Sequence, residues 1–300
     1  MAKELTKEQR LGRLRALRAF FTLTLAFGVA IMLYPAGMRL LALYQNVQAA
    51  ERYDRAVKQK PNEELEEAWR AAQAYNEAHA TNVVGDPFTA EQLADLEDSG
   101  YADLLNPMGN GIMGYLDIPL IGQRLNVYHG TEKRALERGV GHLQGTSLPV
   151  GGVSTHCVVS GHRGLPAAKI FTDLDKLKVG DVVYLHILDH TLAYAVDKVQ
   201  VVLPSEIDAL GIVEGQDLLT LVTCTPYAVN THRLLVTCHS VPYVPEQDET
   251  GNVGLSVRVR LVLIALALVG CVVLAVVGIK GFAAARKLLS SRGPQPRHLA

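Results

Sequence analysis

Two charge-free apolar runs, one near each end, constrain this chain most. Residues 19–38, AFFTLTLAFGVAIMLYPAGM, lie between Arg18 and Arg39. Residues 261–279, LVLIALALVGCVVLAVVGI, lie between Arg260 and Lys280. At about 1.5 Å per residue each would make a helix roughly 30 Å long, the thickness of a bilayer's hydrocarbon core. Both are read as transmembrane helices. The alternative for the first is a cleaved signal peptide, but its apolar region is long for that and no clean A-x-A site follows. The alternative for the second is a buried core helix, but it runs without interruption into a basic tail.

The flanks give the orientation. Residues 1–18 hold six basic residues and two acids, and residues 280–300 hold five basic residues and no acid. Positive flanks stay in the cytosol, so both termini are expected there, with residues 39–260 outside. Of 29 Lys and Arg, 11 lie in the two tails; of 30 Asp and Glu, 2 do. The outer part therefore carries a net charge of −10, although the whole chain is near −1. That balance disfavours nucleic acid and anionic lipid as its main partner.

Residues 40–80 place apolar side chains at helical spacing on either side of Pro61, which predicts a helical hairpin. TNVVGDPFTAEQ, 81–92, has turn chemistry at Gly85-Asp86-Pro87. From Met113 the pattern becomes strand-like. MGYLDIPLIGQRLNVYHG alternates and is punctuated by Pro119 and Gly122; THCVVSGH, DVVYLHIL, TLAYAVDKVQVV, DLLTLVTCT and RLLVTCHSV come after it. EKRALERGVGHL reads as a short helical turn. Seven or eight strands over about 130 residues predict a closed barrel or a sandwich.

Four cysteines occur, and Cys271 falls in the second apolar run. The other three face an exterior that is normally oxidising, yet three is an odd count and too few for a disulfide scaffold. Cys157 and Cys238 are expected on strands flanking the Cys224 strand on opposite sides, which disfavours their pairing. Cys224 ends an apolar run, between Thr223 and Thr225, and Pro226 breaks the strand just after it. A lone cysteine is commonly a small buried hydrophobe, but a thiol at a strand end can project into a groove. As a nucleophile it needs a base or a cation beside it. Of ten histidines, His162 in CVVSGHRGLP sits in a similar strand-end loop, ahead of His156 and His232. His186 and His190 are four apart, but in strands that spacing builds no metal site, and H-E-x-x-H and C-x-x-C are absent. No metal or cofactor is expected. Arg233 opens the next strand: either a surface ion pair or a fixed guanidinium for a developing oxyanion.

TLVTCTPYAVNTHRLLV resembles the signature of the sortases, membrane-tethered cysteine transpeptidases of Gram-positive envelopes, whose T-L-x-T-C is followed by an Arg a short loop later. GTSLPVGGVSTHCVVSGHRGLPAAKIFTDLDKLKVGD, 145–181, resembles the segment bearing that family's catalytic histidine. GDPF, 85–88, is similar to the Asp-Pro-aromatic lid of class C, pilus-building sortases, and two spans around the catalytic domain fit that class. The chain departs from the family at Cys157 and at VTCHSVPY, 236–243.

The resemblance implies a mainly β fold: a closed eight-stranded barrel with short helices, an N-terminal helical hairpin, a lid loop and two transmembrane helices. It divides the chain into a cytosolic tail (1–18), a span (19–38), a helical region (39–80) and a lid-bearing segment (81–110). The catalytic barrel (111–245), a linker (246–260), a second span (261–279) and a second cytosolic tail (280–300) complete it. It implies Cys224 as nucleophile, His162 as acid/base and Arg233 as oxyanion or substrate clamp, with Asp86, Pro87 and Phe88 as lid residues. The expected reaction is cleavage of an LPXTG-like signal between Thr and Gly, with transfer to a pilin lysine amine. The expected partners are pilins, the plasma-membrane bilayer and, as a further acceptor, a peptidoglycan precursor. Anchoring to peptidoglycan, a papain-like hydrolase and a non-catalytic binding barrel are the rival readings. The order His162, Cys224, Arg233 with no helix after the cysteine disfavours the hydrolase.

Overall fold

A computed structural model describes residues 6–78, 100–165, 169–206 and 208–245, together with residues 261, 264, 265 and 268. The expected lid residues, Asp86, Pro87 and Phe88, lie outside the described residues, as do most of the second apolar run and Cys271. The chain separates into two units, residues 1–254 and 255–300; the helical hairpin and every strand of the barrel belong to the first.

Helix α1 spans Lys7–Lys58 without a break, so the first apolar run and the outer helix expected after it are one rod. Pro35 sits inside it, and 52 residues at about 1.5 Å each give roughly 78 Å. A capping box starts it: Thr6 Oγ1 accepts from the Gln9 amide, and Gln9 Oε1 accepts from the Thr6 amide. The helix is long and apolar enough to cross a membrane. Phe20, Phe21, Leu23, Leu25, Phe27 and Met32 are exposed along it, which suits a lipid rather than an aqueous surround.

Beyond the apolar run α1 becomes one-sided. Val47, Ala50, Tyr53 and Val57, three or four residues apart, are buried against the barrel. Pro61 ends the turn, and helix α2 (Asn62–Ala78) begins with Glu63 and Glu64 in its first turn, where they oppose the helix dipole. α2 buries Leu65, Ala72, Tyr75 and Asn76. Side chains fasten this hairpin to the barrel. The Tyr53 hydroxyl donates to the Met113 carbonyl (2.7 Å) and accepts from the Leu188 amide (2.8 Å). The Asn76 amide exchanges two hydrogen bonds with the Leu148 backbone (3.1 and 2.6 Å).

The strands are β1 (Ile112–Ile118), β2 (Gln123–His129), β3 (Val140–His142), β4 (Thr155–Ser160), β5 (Val182–Ile187), β6 (His190–Val202), β7 (Asp217–Thr225) and β8 (His232–Val241). They close into an eight-stranded barrel in the order β1-β2-β3-β4-β7-β8-β6-β5. The pairs β2–β3 and β4–β7 are parallel and the rest antiparallel. The one-turn helix α3 (Lys133–Leu136) bridges the parallel β2–β3 step.

Alternation along β4, β7 and β8 sends neighbouring residues to opposite faces. Cys157, Val159, Leu219, Leu221, Val236 and Cys238 join the main core. Val158, Val222 and Leu235 join a smaller cluster on the other face, with Leu143, Leu210 and partly buried Val202. Leu210 comes from a short 3-10 turn, Asp208–Leu210, in the β6–β7 connection.

Candidate active site

β4 and β7 run parallel with a constant offset of 62 residues, from Thr155↔Asp217 to Ser160↔Val222. The Gly161 amide still donates to the Val222 carbonyl (3.0 Å). Continuing the register puts His162 level with Cys224. On the other side of β7, Cys224 is the Cα partner of Arg233, and Arg233 is the partner of Val202 on β6. His162, Cys224 and Arg233 thus form one row across three adjacent strands, spaced about 4.8 Å apart in the hydrogen-bonding direction. All three share the phase of Val158, Val222 and Leu235, so they extend the smaller cluster rather than the barrel core. All three are half-buried. β7 stops at Thr225, before the cis Thr225–Pro226 peptide bond.

Side chains take over where the backbone ladder ends. Thr223 Oγ1 donates to the Gly161 carbonyl (2.7 Å), and Arg163 Nη1 donates to Thr225 Oγ1 (2.9 Å). The Phe171 amide donates to the His162 carbonyl (3.1 Å). The loop after His162 turns at Gly164, whose φ is +89°, and a Cβ there would lie 2.9 Å from the Tyr227 ring. Only glycine both tolerates that φ and lets Tyr227 lie against the loop. Arg233 Nη1 donates to the carbonyls of Asn230 and His232 (3.2 Å each), which turns its guanidinium back over the β7–β8 connection.

The environment separates the thiols. None of Cys157, Cys224 and Cys238 is in a disulfide. Cys157 and Cys238 both pair with Leu219, from opposite sides of β7. Two strand spacings make about 10 Å, beyond the roughly 7 Å between Cα atoms that a disulfide tolerates. Burial pushes both thiols up, Cys238 to about 12, so neither is a thiolate near neutral pH. Burial pushes His162 below the usual histidine range, and the Glu137 carboxylate at the end of α3 opposes that.

The other histidines have different work. His156 is buried, with Nδ1 on the Gly211 carbonyl and Nε2 on Thr220 Oγ1 (2.7 Å each). His232 lies beside Thr231 Oγ1 (2.9 Å). His186 stacks on Tyr115 with 4.4 Å between ring centroids, and His190 on Trp69 with 4.0 Å. Sequence reasoning missed Arg163 and Glu137. The signal for Arg163 was its place next to His162; the signal for Glu137 was only its acidity, because α3 reaches the site through the fold.

Comparison with known proteins bears on the fold and the family. A family model described as a sortase domain matches residues 116–241. The sortase C of Streptococcus pneumoniae, whose structure addresses catalysis and pilin substrate specificity, is 44% identical. It superposes with a TM-score of 0.60, over 65% of this chain and 97% of that one. Sortase C-1 of Actinomyces oris is 45% identical with a TM-score of 0.58, over 60% of this chain and 99% of that one. Sortase D of Bacillus subtilis is 29% identical over 115 residues, 38% of this chain and 55% of that protein. The chain thus spans little more than half the length of the curated relatives it matches. With the closed barrel and near-complete cover of sortase C structures, the chain belongs to the sortase family of cysteine transpeptidases, beside its class C members.

Proposed function

We propose that this chain is a pilin-polymerising sortase, with its catalytic barrel on the outer face of the plasma membrane and both termini in the cytosol. The observation that carries the reading is the row of His162, Cys224 and Arg233. A nucleophile is centred between a proton carrier and a fixed cation, on one face of one sheet. The Cys224 thiolate attacks the carbonyl carbon between Thr and Gly of an LPXTG-like signal. Arg233 faces the oxyanion of the tetrahedral intermediate, or the signal's backbone carbonyls. The C–N bond breaks as imidazolium His162 gives its proton to the leaving amine, which leaves a thioester on Cys224. A neutral pilin lysine amine then attacks the thioester. His162 takes its proton, an isopeptide bond forms and the Cys224 thiolate is released.

Burial lowers His162 and a free thiol titrates near about 8.5, so a minority of the enzyme holds the thiolate–imidazolium pair at neutral pH. Transfer to a pilin lysine is favoured over anchoring to peptidoglycan by the company the chain keeps. It is 44% identical to a sortase C studied for pilin specificity, against 29% for a sortase D. The test is to mix the full chain in detergent with an LPXTG peptide and a second peptide carrying one lysine. The expected product is the isopeptide-linked pair, seen by mass spectrometry. Hydrolysis alone, or transfer only to a peptidoglycan-type amine, would contradict pilin polymerisation.

The expected lid belongs to this proposal. If Asp86-Pro87-Phe88 covers the groove, the resting enzyme is closed until substrate displaces it. Asp86→Ala and Phe88→Ala are each expected to raise peptide cleavage and Cys224 alkylation several-fold. Unchanged rates in both variants would remove the autoinhibitory role.

A further inference from the structure

We propose that Arg163 is a positioning residue for the transpeptidation step: it locks the histidine loop in register with the nucleophile strand. The inference rests on the reading of His162 and Cys224 as the catalytic pair. The β4–β7 ladder holds its offset of 62 residues as far as Ser160↔Val222. The row lies two residues further on: β7–β8 pairing still holds Cys224 beside Arg233, but no β4–β7 pair holds His162 beside Cys224. Two side-chain bonds with the same offset bracket that row, Thr223 to Gly161 on one side and Arg163 to Thr225 on the other. The residues next to Cys224 therefore grip the residues next to His162. Because the phase alternates, both grips lie on the face opposite the catalytic groups and do not compete with them for substrate.

Arg163 is unfavourable where it sits. Its side chain is 10% exposed, and removing a guanidinium from water is costly unless it is well paired. Its pairing is incomplete. Nη2 donates to Asp175 Oδ2 (2.6 Å), but that carboxylate is half exposed, and Nε is buried with no hydrogen-bond partner among the described residues. For stability alone a hydrophobe of similar volume would serve better. What a planar fork adds is direction: Asp175, on the Leu174–Lys176 turn, fixes one arm while the other reaches Thr225. A point-charge ammonium on a flexible stem cannot hold both.

The test uses the full chain in detergent with Arg163→Lys, Arg163→Met and Thr225→Val. Two readouts are taken: kcat and KM on an LPXTG peptide, and the pH dependence of iodoacetamide alkylation at Cys224. Misplacing a reacting group by about 1 Å costs on the order of 100-fold. Arg163→Met is expected to lower kcat roughly 10- to 100-fold, with KM changed by less than about threefold. Arg163→Lys is expected to stay within about threefold of Arg163→Met, because charge without the fork does not restore register. Thr225→Val, which keeps Arg163 and Asp175 together, is expected to lose roughly 10-fold. In all three the acid limb of Cys224 alkylation moves to higher pH, as the thiolate loses an aligned His162.

Recovery of wild-type kcat in Arg163→Lys would overturn the proposal in favour of simple charge. So would an alkylation profile identical to wild type in Thr225→Val, or in Arg163→Met shown to be folded. If the wild type turns over no sorting peptide, the functional reading fails, and the alkylation profiles still decide whether Arg163 aligns His162. If Arg163→Met does not fold, Thr225→Val and Asp175→Asn carry the decision.

Discussion

Two largely covered arginines show how differently the barrel treats its two sides. Arg124, on β2 near helix α1, holds a single buried carboxylate with two of its nitrogens. Nε and Nη2 grip both oxygens of fully buried Asp117 (2.8 and 2.6 Å), and the guanidinium lies 5.1 Å from the centroid of the Tyr115 ring. Arg163, beside the proposed catalytic row, splits its donors between a half-exposed carboxylate and a threonine hydroxyl. The same contrast separates the thiols. Cys157 and Cys238 pack into the core from the phase opposite to Cys224 on the same three strands. On the helix-covered side one buried carboxylate takes both arms of the guanidinium and the core thiols are buried; beside the proposed catalytic row the side chains stay half-open.

The largest effect expected from this contrast is on the thiols. Cys224→Ala should abolish peptide turnover, by at least about 10,000-fold, as loss of a covalent nucleophile does. Cys157→Ala should instead lower the melting temperature and leave the chemistry within a few-fold of wild type. Side-by-side turnover and thermal melts check both, and a large kinetic loss in Cys157→Ala would erase the distinction between the faces.

The arginines give the next effect. Arg124→Met strands a buried carboxylate and should cost about 3–5 kcal/mol of stability. It should leave the pH profile of Cys224 alkylation in place, which is the reverse of the expectation for Arg163. The double variant Asp117→Leu/Arg124→Met should recover much of that loss. A shifted alkylation profile in Arg124→Met would mean that the helix-covered side also tunes the site.

A smaller effect lies in pH. His142 is fully buried, with the Tyr101 hydroxyl 2.7 Å from Nδ1 and the Ser147 carbonyl 2.9 Å from Nε2. Burial pushes it down to about 4. Such a histidine takes up its proton more readily in the unfolded chain than in the fold. Its contribution to stability is therefore complete above the unfolded value of about 6.5 and is lost as pH falls toward 4. At about 1.4 kcal/mol per pH unit the loss approaches roughly 3 kcal/mol. Fluorescence of the single tryptophan, Trp69, stacked on His190, gives the melts; His142→Gln should flatten the dependence between pH 6.5 and 4.5. An equal slope would assign the acid sensitivity elsewhere.

Glu137 gives the smallest effect. It raises His162 against burial, so Glu137→Gln should lower His162 further. The acid limb of activity should then move to lower pH, and peak activity fall about twofold as fewer molecules hold imidazolium opposite thiolate. Glu137 is half exposed, so high salt should shrink the difference. A shift of the acid limb to higher pH would contradict the assigned direction.

Local signals carried much of this fold. Alternation and turn residues marked seven of the eight strands, because each runs long enough to show a period. The missing strand is β3, Val140–His142. Three residues within GVGHL carry no periodicity, and only pairing with β2 and β4 makes them a strand. The return of charge at Arg39, just past Pro35 and Gly37, suggests two helices, yet α1 runs through both residues as one. The cysteine, histidine and arginine were legible as strand-end residues and by family resemblance. Their common row was not, since it depends on the register between segments 62 residues apart. The Arg163–Thr225 tie was hidden for the same reason.

The most direct test of the central claim is the intact mass of the full chain after incubation with an LPXTG peptide and no amine acceptor, followed by mapping of the modified cysteine. The expected result is an acyl adduct, lacking the peptide's residues after Thr, on Cys224 alone and absent from Cys224→Ala. No adduct on folded protein, with Cys224 alkylating no faster than Cys157 or Cys238, would contradict a catalytic row and leave a barrel that binds without cutting.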